Sequence, residues 1–273
     1  MFNLKKYLQR EYKKSAMTNK FNKVVLSFHA HPDDAEAWNA GVLKLLKDKG
    51  YKIVIATMTA GDLGGCNMTM EETAQLRIEE AKKAASVLDA DYYMIGGTDG
   101  FLFDTKELRL KAISLMRKVR AGIIFTHLPT DYHSDHRTTA NIVETAALVT
   151  SLGTVPVKEK ALEITPLLYH TSPLTLSDPV GNQIAPPHFF INIATAIETK
   201  KKMLGCHISQ IELMQHMHKM NDFFGYVLQG NRDYGKMVGI DYAEVYWQHL
   251  GGGFQKEEQV QNDLSEFLIN KIH

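Results

Sequence analysis

KVVLSFHAHPDDAEAW, residues 23–38, passes from an apolar run into four ionisable side chains within six positions. Val24, Val25 and Leu26 read as a strand buried on both faces, because a continuous apolar run this short is what a parallel sheet demands. Pro32 marks a turn, and helical periodicity begins near Ala35. The same alternation recurs through the first half of the chain. Strands are predicted at 24–30, 52–60, 91–97 and 122–127, with amphipathic stretches between them. Trp38, Val42, Leu45 and Leu46 share one predicted helical face; Ile78, Ala81, Ala85 and Leu88 share another, as do Leu108, Ala112, Leu115 and Val119. Strands alternating with helices of this length give an α/β fold: a Rossmann-like parallel sheet with helices on both faces.

Each predicted strand of this half ends in polar chemistry: HAHPDD, TAGDLGG, GGTDG and THLPTDYHSDH. In open α/β sheets ligands bind outside the carboxyl ends of the strands, so four such ends on one rim point to a site. A fourth helix is expected from about 138 to 152 and a strand near 165–170. The second half reads as irregular. Residues 173–187 hold four of the eight prolines, so 171–188 is expected to be a loop. A strand at 189–193 and a helix over 195–214 follow. The resulting expectation is a basic arm over 1–22, one domain over 23–250 (core 23–170, helical part 171–250) and a polar tail over 251–273.

Composition narrows the function classes. Lys+Arg and Asp+Glu both number 31, so no global basic field proposes a nucleic-acid partner. No apolar run reaches the roughly 18–20 residues of a bilayer-spanning helix, so no integral membrane segment is expected. The basic start lacks the apolar stretch of a secretory signal. Two cysteines, Cys66 and Cys206, make no disulfide framework and fit a reducing, cytoplasmic setting.

Three readings of HAHPDD compete: a capping loop with Asp34 as N-cap, a two-metal HxHxD site, and a one-metal HxxD site with a spare carboxylate. The second cluster, DYHSDH (131–136), adds two histidines flanking an aspartate at another strand end. Together the clusters supply imidazoles and hard carboxylates, the donor set of a catalytic zinc site with one position left for water.

HPDD (31–34), TAGDLGG (59–65), RIEEA (77–81) and HSDH (133–136), in this order and spacing, resemble the LmbE/PIG-L family of zinc-dependent de-N-acetylases, with a weaker echo at CHISQ (206–210). The resemblance spans about residues 23–150. It implies a Rossmann-like core that binds metal where a dinucleotide enzyme binds its cofactor, in keeping with the missing G-x-G-x-x-G after the first strand. Position by position it makes His31, Asp34 and His136 the ligands of one Zn²⁺ per chain and Asp33 the general base. His133 becomes the oxyanion stabiliser and acid, and Asp135 the residue that orients it. Arg77, Asp99 and His207 match substrate contacts. The implied substrate is a small N-acetylated sugar or glycoconjugate of the N-acetylglucosamine type; a homo-oligomer stays open. Ser134 stands where the family usually has proline. His29, although it completes HxHxD, is expected to be structural.

Overall fold

The computed structural model describes residues 21–269. Among these, eight strands form one sheet: β1 Val24–His29, β2 Lys52–Thr59, β3 Asp91–Gly97, β4 Ile123–Thr126, β5 Leu167–Thr171, β6 Phe189–Asn192, β7 Ala243–Gln248 and β8 Leu268–Ile269. The helices are α1 Asp34–Trp38, α2 Ala40–Asp48, α3 Met70–Ser86, α4 Lys106–Val119, α5 Ser134–Val149, α6 Ile197–Leu204, α7 Ile208–His218, α8 Phe223–Val238 and α9 Gln259–Asp263. No helix among the described residues is long and apolar enough to cross a membrane.

The sheet order is β3-β2-β1-β4-β5-β7-β6-β8. The first five strands are parallel; β7 pairs antiparallel with β5, and β6 antiparallel with both β7 and β8. From β1 the chain builds outward to β3, then returns to lay β4 on the other side of β1. Such a reversal of strand order opens a crevice at the carboxyl ends of the two central strands.

Successive strand residues face opposite sides, and both sides are covered. Val25, Ile53, Ile55, Ile123 and Phe125 pack with Val42, Leu43 and Leu46 of α2 and with Ala84 and Ala85 of α3. Leu26, Phe28, Val54, Ala56 and Ile124 pack on the other side with Ala112 and Met116 of α4 and with Ile142, Val143 and Ala146 of α5. The two-sided apolar pattern of the central strands has its cause here.

The expected helix carrying Trp38 with Val42 is broken at Asn39, whose φ is −139°. Asn39 Nδ2 donates to Ser27 Oγ, and its Oδ1 lies 2.7 Å from the Tyr246 hydroxyl. The break is held by a buried ion pair. Lys200 of α6 donates to the Ala37 carbonyl of α1 at 2.7 Å, and Glu244 of β7 accepts from the Gly41 and Val42 N–H groups of α2 at 2.9 and 2.8 Å. Lys200 Nζ and Glu244 Oε1 lie 2.8 Å apart. Each charge sits at the helix pole that favours it. Trp38 thus leaves the α2 face and packs with Ala37, Leu204 and Val227.

Other expectations are corrected. The predicted 195–214 helix is a short 3₁₀ turn over Ala194–Ala196, then α6 and α7, interrupted at residues 205–207. α5 begins at Ser134 rather than near 138, because His133 caps it. β7 and α8 carried no expectation. Within the described part of the expected polar tail over 251–273, Phe254, Val260 and Leu264 are buried and β8 closes the sheet edge. The 171–188 loop holds only an isolated bridge, Ser177 to Gln183. Residues 1–20 of the basic arm lie outside the described residues; Phe21, just after them, is buried.

Candidate functional site

The loops after β1 and β4 meet at the reversal point. After β1 the chain turns at Pro32–Asp33, where Asp33 takes φ 98°. A left-handed conformation at a non-glycine residue is costly and concentrates at functional sites. Asp33 is the N-cap of α1 yet makes no capping bond. The residue is 6% exposed and lines the pocket instead. Burial pushes its carboxylate up to about 6, against the pull of Arg77, whose Nη2 is 3.6 Å away. Asp34 closes the turn: its Oδ2 accepts from the His31 N–H at 2.8 Å.

After β4, Asp131 Oδ1 accepts from the His133 N–H at 2.9 Å and lies 3.0 Å from His136 Nδ1. His136 on the first turn of α5 therefore presents Nε2 to Asp34 Oδ1, 3.4 Å away. His31 Nδ1 is 3.4 Å from Asp34 Oδ2. The three predicted ligands thus converge on Asp34. Groups of three donors mutually within 4.8 Å are His31, His133 and His136; Asp34, His127 and His136; and His31, Asp99 and Asp135. The predicted triad is spread over the first two.

His127 is the exception within this cluster. Its ring stacks on His136 at 3.8 Å between centroids, and its Nε2 accepts from the Ala30 N–H at 2.9 Å. That lone pair is already engaged with the main chain. Burial and the neighbouring His136 lower His127 to about 4, so it is neutral. His29 is fully buried behind it, with Nδ1 3.2 Å from Ser27 Oγ and Nε2 3.3 Å from Thr171 Oγ1. The HxHxD reading thereby loses its first histidine.

The local field favours positive charge at the converging donors. Burial disfavours an imidazolium, yet Asp34 and Asp131 outweigh it and hold His136 up at about 9. His31 is likewise held well above its ordinary value by Asp135, Asp34 and Asp99 in spite of burial, and Asp34 well below its own by His136 and His127. Carboxylates and imidazoles gathered in a field that favours positive charge, with a second carboxylate on the far nitrogen of His136, suit a divalent metal such as zinc, which would replace the imidazolium protons. The residues fit the ion.

The remaining predicted residues divide. Asp99 lines the pocket; its Oδ2 accepts from Leu63 N–H at 3.1 Å and its Oδ1 lies 3.2 Å from His31 Nε2. Arg77 also lines the pocket but is 4% exposed and spends its guanidinium on main chain, donating to the carbonyls of Gly61 (3.0 Å) and Pro32 (2.8 Å). It joins the loops after β1 and β2. Gly61, at φ +66°, has no room for a Cβ against that guanidinium. Asp135 does not hold His133 with its carboxylate, which accepts from Gly100 N–H at 2.8 Å; its N–H donates to His133 Nδ1 at 3.2 Å. The positioning expected of Asp135 is therefore made by its main chain, and it leaves His133 Nε2 as the free ring nitrogen. His207 is fully buried 3.5 Å from Glu36, outside the pocket lining, so the structure places it behind the wall. Asp131 and His127 were not assigned from sequence. Asp131 had one legible signal, a carboxylate five residues before His136 at the same strand end.

The pocket above these groups has a volume of about 580 Å³. Its floor holds His31, Asp33, Asp34, His133 and His136; its opposite wall comes from α7, α8 and the segment between them.

Residues 26–147 match the family model described as PIG-L, GlcNAc-PI de-N-acetylase. This span is a PIG-L/LmbE domain. It runs from β1 into α5 and so contains both motif loops. The chain is 27% identical over 239 residues to the diacetylchitobiose deacetylase of Thermococcus kodakarensis, covering 81% of each chain. Among solved structures it is similar to the N,N'-diacetylchitobiose deacetylase from Pyrococcus horikoshii, with a TM-score of 0.71, 20% identity, and 91% and 94% of the two chains covered. It is also similar to GalB, the 4-carboxy-2-hydroxymuconate hydratase from Pseudomonas putida KT2440, with a TM-score of 0.70, 20% identity, and 86% and 100% covered. At such identities the solved structures establish the fold of the PIG-L/LmbE domain alone.

Proposed function

We propose that this PIG-L/LmbE protein is a metal-dependent amide hydrolase that removes the acetyl group from an N-acetylglucosamine-type sugar or glycoconjugate. The observation that carries the reading is Asp33. Its carboxylate is held by a strained turn beside the converging donors, free of the capping bond its position offers, and faces the cavity. A carboxylate serving only as the cap of α1 would accept from the first helix N–H groups, which Asp33 does not do. The 27% identity to a diacetylchitobiose deacetylase supports the chemistry; GalB on a similar fold is why the fold does not decide it.

His31, Asp34 and His136 would hold one zinc ion, with Asp131 fixing the His136 ring. The ion, when bound, supplies a Lewis acid for the amide oxygen and lowers the pKa of a water. Asp33 takes the proton from the attacking water as oxygen adds to the amide carbon. The Nε2–H of His133, whose Nδ1 is occupied by the Asp135 N–H, stabilises the oxygen on which negative charge develops. The proton that Asp33 took from the water passes to the departing nitrogen as the C–N bond breaks, leaving acetate and a free amino sugar. Arg77 keeps the Asp33 turn against the loop after β2, and Asp99 offers an acceptor for a sugar hydroxyl.

The test is acetate release from N-acetylglucosamine and di-N-acetylchitobiose, with metal analysis of the purified protein. Release that a chelator abolishes and zinc restores, with one metal per chain, is expected. Two tightly held metals would return the HxHxD reading. Chelator-insensitive release, or hydration of an unsaturated acid without release from any acetamido sugar, would overturn the proposal.

A further inference from the structure

The two sides of the pocket are built from different chemistry. Facing the ionisable floor stand Leu213, Met214 and Met217 of α7, Met220 between the helices, and Phe223 and Tyr226 of α8. Apolar exposure collects at the mouth: Met217 is 60% exposed, Leu63 47% and Tyr226 44%. Exposed apolar side chains scattered singly need no explanation, but a cluster rimming one cavity marks a binding surface. On this wall Gln210 is the polar residue of α7 that lines the cavity, and its buried Oε1 has no hydrogen-bond partner among the described residues.

A second sugar seated on this wall would bring several hydroxyls against thioethers and leucine methyls, with only the Gln210 amide and the Tyr226 hydroxyl to receive them. Hydroxyls buried without partners lose the bonds they made to water. Phe223 and Tyr226 give the wall two ring faces, but Leu213, Met214, Met217 and Met220 make up the rest of it as conformable apolar surface, which suits an alkyl chain. We infer that the substrate carries, beyond its N-acylated glucosamine ring, a flexible apolar chain of several carbons that lies along α7 and α8, with Gln210 Oε1 accepting one N–H or O–H at the junction. The inference rests on the amide-hydrolase part of that reading and specifies its substrate class. The chain can enter as the aglycone or as the acyl group itself.

Two series separate these sources: methyl, butyl and octyl β-glycosides of N-acetylglucosamine, and N-acetyl, N-butanoyl and N-octanoyl glucosamine, with di-N-acetylchitobiose as the polar reference. kcat/KM is expected to rise with chain length in one series, by about fourfold per methylene while the chain is being buried. Its longest member should exceed di-N-acetylchitobiose at least about tenfold. A rise along the glycosides places the chain at the reducing end; a rise along the amides places it on the scissile side. Measurable turnover that stays flat or falls with length in both series overturns the inference while leaving the deacetylase reading standing. If no acetamido sugar is turned over, calorimetric binding of the same compounds to the Asp33→Asn protein decides independently. Tighter binding of the octyl member of either series than of its shortest member, with a negative heat-capacity change, supports the apolar wall; equal Kd values overturn it. In the Met214→Gln, Met217→Gln double variant the ratio of longest to shortest member should drop at least about tenfold, and an unchanged ratio would also overturn it.

Discussion

The five parallel strands and the antiparallel extension beside them contribute to the same pocket in opposite ways. Every ionisable floor residue comes from the turns and first helical residues that follow β1 and β4, where the strand order reverses. The apolar wall comes from α7 and α8, within the part of the chain that carries β6 and β7. Chemistry sits on the rigid central strands, whose loops are cross-braced by Arg77, Asp34 and Asp131. The shape of the remaining cavity is left to helices with few polar constraints. The two parts are joined behind the site by Lys200 and Glu244, which clamp the break at the far end of α1, the helix that begins at Asp34. Division of labour of this kind lets the wall change while the floor stays fixed.

Breaking the joint should have the largest effect on stability. Glu244→Ala strands Lys200 as an unpaired buried charge and frees two helix N–H groups, a change that costs about 3–5 kcal/mol. At this chain length that is a fall in Tm of roughly 6–20 °C. A calorimetric scan showing less than about 2 °C would mean that the two parts are held together elsewhere. Leu264→Ala asks whether the C-terminal segment belongs to the core. Its side chain is fully buried against the α2 face of the sheet, so a loss of about 2–5 kcal/mol in denaturant unfolding is expected. A loss below about 0.5 kcal/mol would mean that this segment adds little to the core.

The strand at which parallel pairing gives way to antiparallel has its own pH dependence. His170 on β5 is fully buried, donates from Nδ1 to the His127 carbonyl at 2.7 Å and faces His249 at 3.1 Å. Burial, with His249, His127 and His188 nearby, lowers it to about 4. An unfolded histidine near 6.5 binds its proton first, so this group's contribution is complete above pH 6.5 and is lost as pH falls towards 4. The loss amounts to about 3 kcal/mol at most. His170→Asn should flatten the stability–pH curve in that window; an unchanged slope would contradict the assignment.

Two helix caps give the smallest and most discriminating contrast. Asp222 accepts from the Gly225 N–H at the start of α8, and Thr105 from the Leu108 N–H at the start of α4. Replacing either by alanine should cost about 1 kcal/mol. Only Asp222→Ala should also raise KM, because α8 carries pocket residues and α4 does not. Equal effects on KM would break the division between floor and wall.

The same division explains what was legible. Val24–His29 and Ile123–Thr126 are buried on both faces, so their apolar runs announce parallel strands, and the polar clusters following them stand out by contrast. His31, Asp33, Asp34, His133 and His136 could be picked out because their spacing within each loop is local. The Asn39 break was hidden, because its cause is Glu244, some two hundred residues away. β7 was hidden for a related reason: AEVYWQ buries a glutamate and a glutamine, so it does not read as an apolar run. His127 looked like any strand-end histidine; only the tertiary contact with the Ala30 N–H separates it from the donors around Asp34. Arg77 reads on a helix as a surface residue or a ligand contact, and its bonds to two loop carbonyls cannot be seen from its own neighbours in sequence.

The central claim concerns Asp33, the one floor carboxylate directed at the cavity without a capping bond. Steady-state deacetylation by the Asp33→Asn protein, with its zinc content measured on the same sample, tests it most directly. The account predicts one zinc per chain retained and turnover lowered by about 10²–10⁴. Turnover within about tenfold of the unaltered protein, with the metal still bound, would contradict it.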